Sequence, residues 1–372
     1  MKAIKVRVPI LTARRVAGHA TATRCIYIPW VLTVGLALRL SAQSVAVFPT
    51  PGIFEKLQQY TQAEIVLVLD MDSLLATKYQ EDYLAGTFQL KDGKKTVLSL
   101  PVSVRQRGKY RRMRCEFPPL KMKLDEDALV QAGYSAFGTF KIVNQCMDTD
   151  PSAKELLLRE YLVYQLYQEL SELSLRTLLV RITYRNERSG ESRVQLAILM
   201  EDDEQLAARH GYTLVDPLSV PQADMIPADE LRVALFQYMI GNVDWGYQPG
   251  RNIEILFRGE GEGYVPIPYD FDFSAIVAAP YAVPKTHIGQ RNIKERVFFG
   301  RKTDTAALQE ALSWWMEKEK GLRKKIRETK QLSLTARLEM EEYMDGFFDL
   351  LSRPAEAAEV LFSRKPWLPA VR

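Results

Sequence analysis

The stretch Gly241-Asn-Val-Asp-Trp-Gly-Tyr-Gln-Pro-Gly-Arg-Asn252, with Val265-Pro-Ile-Pro-Tyr-Asp-Phe-Asp-Phe-Ser274 after it, gathers Asp244, Asn252, Asp270 and Asp272 at the ends of otherwise apolar elements. Magnesium is a hard cation that takes one or two carboxylates together with substrate phosphate oxygens, and an Asn carbonyl is an ordinary further ligand. The stretch therefore reads as a metal–phosphate site. Loop carboxylates also cap helices and turn strands, but four such residues, each placed after a strand or helix end, favour function over that duller role.

Working outward, Ile253 to Phe257 and Tyr264 to Pro268 read as two strands around Gly259-Glu-Gly-Glu-Gly263. That turn joins two strands and carries acids that repel phosphate, so it is a hairpin loop and not a phosphate cradle. Upstream, Pro227 and Asp229 start a helix with Leu231, Leu235, Tyr238 and Met239 facing inward, and Gly241 stops it. Downstream of Thr303 the pattern predicts two long helices, whose charge runs at 317–320 and 323–325 are solvated faces.

The first half of the chain is β-rich. Ile65 to Leu69 is an apolar run, and Gly86 to Leu90 and Lys95 to Val104 flank Lys91-Asp-Gly-Lys94, a strong hairpin turn signal. Further strands are expected at Met113 to Leu124 and Ser135 to Val143. Asp150-Pro-Ser152 with Glu155 opens a helix expected to end near Leu173. Strands at Leu178 to Arg185 and Arg193 to Met200 follow, and then the acidic connector Glu201 to Glu204. Asp70-Met-Asp72 at a strand end is turn chemistry.

This order of elements predicts an α+β, two-lobed protein-kinase-like fold, with a β-rich lobe at 44–203 and a mainly helical lobe at 204–372. Lys141, on the strand before the capped helix, would then contact phosphate, and Glu160 or Glu155 would be its carboxylate partner. Lys121 and Lys123 compete for the lysine role. Glu201 to Asp203 would form the hinge that meets a purine base. Asp244 would orient a hydroxyl, and Asn252, Asp270 and Asp272 would hold metal.

The chain has 372 residues, 47% apolar, 26% charged and 10% aromatic, enough for a large core. Its formal charge of +4 misleads, because residues 1–43 carry seven basic residues and no acid. Taking those seven from the 50 basic residues leaves 43 against 46 acids, a net of −3. Such a remainder has no electrostatic footprint for nucleic acid. The basic start precedes an apolar run, Ile26 to Leu38, which is short for a membrane span and leads into Ser41-Ala-Gln43. The expectation is a signal peptide at 1–43 and a periplasmic or extracellular protein with no stable membrane span; an N-terminal anchor is the alternative. No lipobox surrounds Cys25. Cys115 and Cys146 pair in an oxidising compartment or remain buried thiols, and their spacing leaves both open. His210 and His287 are the only histidines after residue 43, which argues against a zinc site or a His-based triad.

These residues resemble the spore-coat protein H (CotH) kinases, from the first hairpin to about Tyr281. Asn242-Val-Asp244, Asn252 and Pro268-Tyr-Asp-Phe-Asp272 carry most of the similarity. Val104-Arg-Gln-Arg-Gly108 and Leu120-Lys-Met-Lys-Leu124 look like the family's Arg-Gly-Asn-Ser element and its lysine-bearing strand, and Asp150-Pro-Ser with Leu158-Arg159 looks like its helix start. Lys109-Tyr110 stand where Asn-Ser is expected, and Asn252 lies farther from Asp244 than in ordinary protein kinases. The resemblance implies that Asp244 is the catalytic carboxylate and Asp270 a ligand of Mg²⁺ or Mn²⁺. ATP would be the donor and a protein or envelope component the acceptor. The other class of reading is a catalytically inactive binding protein using the same cleft.

Overall fold

The computed structural model describes residues 50–362 apart from 78–79, 148–150 and 248–249. The expected signal peptide at 1–43 and Asp150 of the expected helix start lie outside the described residues. Seven strands close into a barrel in the order β1-β2-β3-β4-β5-β7-β6. They are β1 (Glu64–Leu69), β2 (Leu84–Asp92), β3 (Lys95–Gln106), β4 (Leu120–Leu124), β5 (Thr139–Asn144), β6 (Thr177–Asn186) and β7 (Ser192–Met200). Parallel pairing of β1 with β6, from Glu64 opposite Arg181 to Leu69 opposite Asn186, closes it.

Alternation sets the faces, because successive strand side chains point to opposite sides. In β4, Leu120, Met122 and Leu124 are buried while Lys121 is half-buried and Lys123 exposed. The inward residues Phe88, Val104, Met122, Phe140, Ile142, Val180 and Ile182 fill the barrel and are fully buried. Asp70, expected as turn chemistry, caps the short helix α2 (Met71–Ala76) by accepting from the Ser73 N–H at 3.1 Å, after α1 (Ile53–Gln58).

One expected strand is overturned. Met113 to Leu124 divides into helix α3 (Tyr110–Arg114) and β4, with Pro118 and Pro119 between them. Proline has no N–H for a ladder, and Cys115 is bonded to Cys146, which turns the chain out of the sheet. A further helix, α4 (Glu126–Gln131), follows β4.

Helix α5 (Ala153–Gln168) joins β5 to β6 and packs by Leu157, Leu162, Val163, Tyr164 and Leu166 into the larger of the cores. Beyond α6 (Asp203–Arg209) the chain is mainly helical: α7 (Pro227–Ile240), α8 (Thr305–Glu328), α9 (Leu334–Leu351) and α10 (Pro354–Phe362). Strands β8 (Thr213–Val215), β9 (Ile253–Phe257) and β10 (Tyr264–Pro268) form a small sheet in the order β10-β9-β8. The fold is thus α+β, β-rich at its N-terminal side and helical at its C-terminal side. Among the described residues no helix is long and apolar enough to cross a membrane.

Candidate functional site

The site is built around the open end of the β9–β10 hairpin. Helix α7 ends where Gly241 adopts φ 64°, a left-handed turn that side chains rarely take. Asn242, fully buried, accepts the Asp244 N–H on its Oδ1 at 2.9 Å and so sets the loop. The Asp244 carboxylate receives Lys285 Nζ at 2.5 Å, Arg251 Nη1 at 3.0 Å and Asn252 Nδ2 at 3.2 Å. Asn252 also donates to the Asp244 carbonyl at 2.6 Å and has φ 54°, a conformation that Asn tolerates better than most residues.

Register brings the other acids to the same place. Ile253 faces Pro268 across the hairpin, so Asn252 stands beside Tyr269, whose N–H donates to the Asn252 carbonyl at 3.1 Å. Asp270 is next, at φ 60°, with its N–H on Tyr164 Oη of α5 at 2.8 Å. Asp244, Asn252 and Asp270 are therefore gathered at one end of one hairpin.

A residue that sequence reasoning passed over occupies the centre. Arg111 of α3 is buried and holds three carboxylates: Glu160 at 2.9 Å, Asp270 at 2.5 Å and, through Nε, Asp272 at 3.1 Å. Tyr281 donates to Asp272 at 3.0 Å. Burial pushes the Glu160 carboxyl up, and Arg111 opposes that rise. Burial pushes Asp272 far up as well, with Arg111 opposing and the charges of Asp270 and Glu160 adding to it. Burial acts in the same sense on Asp270, yet Arg111, the charge of Arg107 and a hydrogen bond from Asp272 hold it below the usual carboxylate range. The Cys115–Cys146 disulfide anchors α3, with the Cys115 N–H on the Arg111 carbonyl at 2.8 Å. Beside this hub a cavity of about 300 Å³ is lined by Leu156, Leu157, Val277 and Pro280 and floored by Arg111 and Glu160.

Lys141 is buried on β5, but Glu160 is not its partner. Its ammonium lies 2.7 Å from both Asp203 and Glu254 and 4.4 Å from the Tyr269 ring centre. The expected Lys141–Glu160 pair is replaced by two pairs, Lys141 with Asp203 and Glu254, and Arg111 with Glu160. The physical reason is reach: α3 carries a guanidinium into the acids of α5, while Lys141 faces the hairpin. Glu155, the other expected partner, binds Arg159 at 3.1 Å and Ser333 at 2.7 Å.

At the expected hinge, Glu201 is 1% exposed and serves internally. Its carboxylate binds Arg209 at 3.0 Å and Arg176, and its N–H donates to the Arg176 carbonyl at 3.0 Å. Asp202 caps α6 and accepts the Thr139 N–H at 2.7 Å. The Glu201 N–H is thereby engaged, and the Asp202 carbonyl accepts the Leu206 N–H at 3.0 Å, so neither group is open to a base.

Hard oxygen donors suit magnesium, and one or two carboxylates suffice when phosphate supplies the rest. Asp270 keeps 22% side-chain exposure against 4% for Asp272, whose oxygen is engaged by Arg111 and Tyr281. Asp270 and Asn252 are thus the donors that fit, whereas Asp272 is turned inward. Among the described residues no three His, Cys, Asp or Glu side chains are arranged to hold a metal without such help. Arg111, Lys285 and Glu254 were missed because each acts on a group at least 41 residues away in the chain. The only trace of Arg111 in the sequence is the basic run after Gly108.

No protein-family model matches this chain, and no curated protein matches it. Among solved structures, the chain is similar to a proinflammatory kinase of Helicobacter pylori, CtkA, with 14% identity and a TM-score of 0.37. That match covers 64% of this chain and 95% of the other.

Proposed function

We propose that this protein is an exported CotH-like kinase that transfers the γ-phosphoryl group of a nucleotide, ATP in the first instance, to a hydroxyl of a protein or envelope component. The observation that carries the reading is the gathering of Asp244, Asn252 and Asp270 at one hairpin end, with Lys141 reaching that hairpin from the barrel. This is the part list of a kinase cleft: an Asp for the hydroxyl, an Asn and a second Asp for metal, and a lysine from the β-rich lobe. Residues 44–203 and 204–372 are then the two lobes.

Asp244, held by Lys285 and Arg251, accepts the acceptor hydroxyl's proton as that oxygen bonds to the γ-phosphorus. The bond to the bridging oxygen breaks, and the nucleoside diphosphate leaves. Asp270 and Asn252 would hold Mg²⁺ or Mn²⁺, which would offset phosphate charge. Arg111 fixes Asp270 and Glu160 in place, and so takes the Glu160 pairing expected of Lys141. Export is supported by the basic-then-apolar start and by the Cys115–Cys146 bond, since disulfides persist in oxidising compartments.

Arg111 also favours a second reading. It neutralises Asp270, the carboxylate that a metal would use, as expected of a catalytically inactive, envelope-binding relative. Thermal unfolding with nucleotide and Mg²⁺ separates the two. Nucleotide at about a hundred times its dissociation constant stabilises the folded state by about 2.7 kcal/mol, a shift of several degrees. Asp270→Asn should lose that shift, while Asp244→Asn should keep it and lose phosphoryl transfer. Wild type without any shift, for every purine nucleotide and divalent cation tried, refutes the kinase reading. Transfer at wild-type rates by both variants refutes the site.

A further inference from the structure

One face of α5 lines the cavity of about 300 Å³ beside Arg111. Ala153, Leu156, Leu157 and Glu160 follow one another at i, i+3, i+4 and i+7, the spacing of a single helix face, and all four bound that space. The segment after Asp272 adds Val277 and Pro280, so the walls are hydrocarbon and the charged groups are confined to the floor. Pro280 is exposed, and Leu156 and Tyr281 are half-buried, which places the rim at the protein surface. Asp244, Asn252, Asp270 and Lys141 do not line this cavity, which is therefore distinct from the groups assigned to phosphoryl transfer.

The polar groups around the cavity fall into two sets. Asn144 is spent within the fold, with Nδ2 donating to the Pro118 carbonyl at 2.9 Å and Oδ1 accepting the Tyr184 hydroxyl at 2.7 Å. The floor is different, because its acceptors outnumber its donors. Glu160 takes Arg111 Nη1 at 2.9 Å and Nη2 at 3.4 Å, and Asp272 takes Arg111 Nε at 3.1 Å and the Tyr281 hydroxyl at 3.0 Å. Two carboxyl groups offer about eight lone-pair positions, and these four contacts use about half of them. A bound carboxylate or phosphate would add acceptors where acceptors are already in excess. A head group that only donates is the complement.

We propose that this cavity is a binding site for a small apolar amine, with its hydrocarbon body between α5 and the Val277–Pro280 wall and its ammonium on the open oxygens of Glu160 and Asp272. An ammonium has three donors and no acceptor. Burying the hydrocarbon supplies affinity, and the few polar groups at one end fix orientation. An apolar cavity of about 150 Å³ holds benzene, so this one has room for a ring with a short amine-bearing tail. The inference goes beyond the phosphotransferase reading and does not depend on it.

The experiment is calorimetric titration of the full chain, without nucleotide or metal and near neutral pH, with three probes of similar shape: 2-phenylethylamine, 2-phenylethanol and 3-phenylpropionate. The amine should bind about tenfold more tightly than the alcohol, the difference between a charge-assisted and a neutral hydrogen bond, and the carboxylate should bind weakest. Leu156→Trp, which fills the cavity from its rim, should abolish binding of both amine and alcohol. Glu160→Gln replaces a carboxyl oxygen with an amide donor, and should weaken the amine about tenfold while leaving the alcohol unchanged. Circular dichroism melts of both variants show whether each is folded, and the ranking of the three probes on wild type tests the site even if one is not. Wild type that does not bind the amine, or binds the alcohol or carboxylate as tightly, overturns the proposal. Amine binding undiminished in folded Leu156→Trp places the amine outside the cavity, and undiminished binding in folded Glu160→Gln removes the acidic floor; either result also overturns it.

Discussion

Replacing Arg111 with Met keeps length and removes the charge that Glu160, Asp270 and Asp272 share. All four side chains are buried or nearly so, at 8%, 3%, 22% and 4% exposure. Breaking a buried ion pair by deleting one partner costs about 3–5 kcal/mol, because the carboxylates left behind remain desolvated. The variant can escape part of that cost by binding protons. Burial already raises Glu160 and Asp272, and Arg111 is what restrains the rise, so losing it lifts both further. A carboxyl whose folded value is raised favours the folded state at low pH. That contribution is lost as pH climbs from the ordinary carboxylate range, about 4, through the folded value. The penalty should therefore be small near pH 5 and reach about 3–5 kcal/mol at pH 8, a fall in melting temperature of about 5–8 °C. Urea unfolding at both pH values measures it. An equal loss at pH 5 and pH 8, or a loss under about 1 kcal/mol at pH 8, would show that the four groups are not coupled as described.

Two further outcomes are expected. The Cys115–Cys146 bond spans a sequence separation of 31. Replacing both cysteines with Ser should therefore lower the unfolding free energy by about 3–4 kcal/mol, and urea midpoints unchanged by substitution or by reductant would contradict it. The His210 imidazole is pushed down to about 4 by burial and by the Arg209 guanidinium. Because the folded state binds fewer protons than the unfolded one, stability should fall as pH drops from about 6.5 to about 4. His210→Gln should flatten that slope, and an unaltered slope would remove His210 from the account.

Elements with strong local patterns were legible in advance. The β9–β10 hairpin was expected at its observed bounds, and α7 was expected to run from Pro227 to the Gly241 stop. Leu120-Lys-Met-Lys-Leu124 alternates as a strand should, and Asp70 caps a helix as turn chemistry implied. The expected strand at Met113 failed because its apolar and basic residues carry no clear period, and a disulfide to Cys146 decides where that segment goes.

Sequence alone was enough for the α+β class and for the β9–β10 hairpin beside which Asp244, Asn252 and Asp270 lie. Those features depend on alternation, capping and turn chemistry within a few residues. Which cation meets which carboxylate was settled only by the folded chain. Lys141, Lys121, Arg107 and Arg111 look alike as basic residues near strand ends. Barrel register sends Lys141 to Asp203 and Glu254, and the α3 turn sends Arg111 to Glu160 and Asp270. Electrostatic pairing depends on distances of a few ångströms between groups tens to more than a hundred residues apart, and no local pattern encodes those distances.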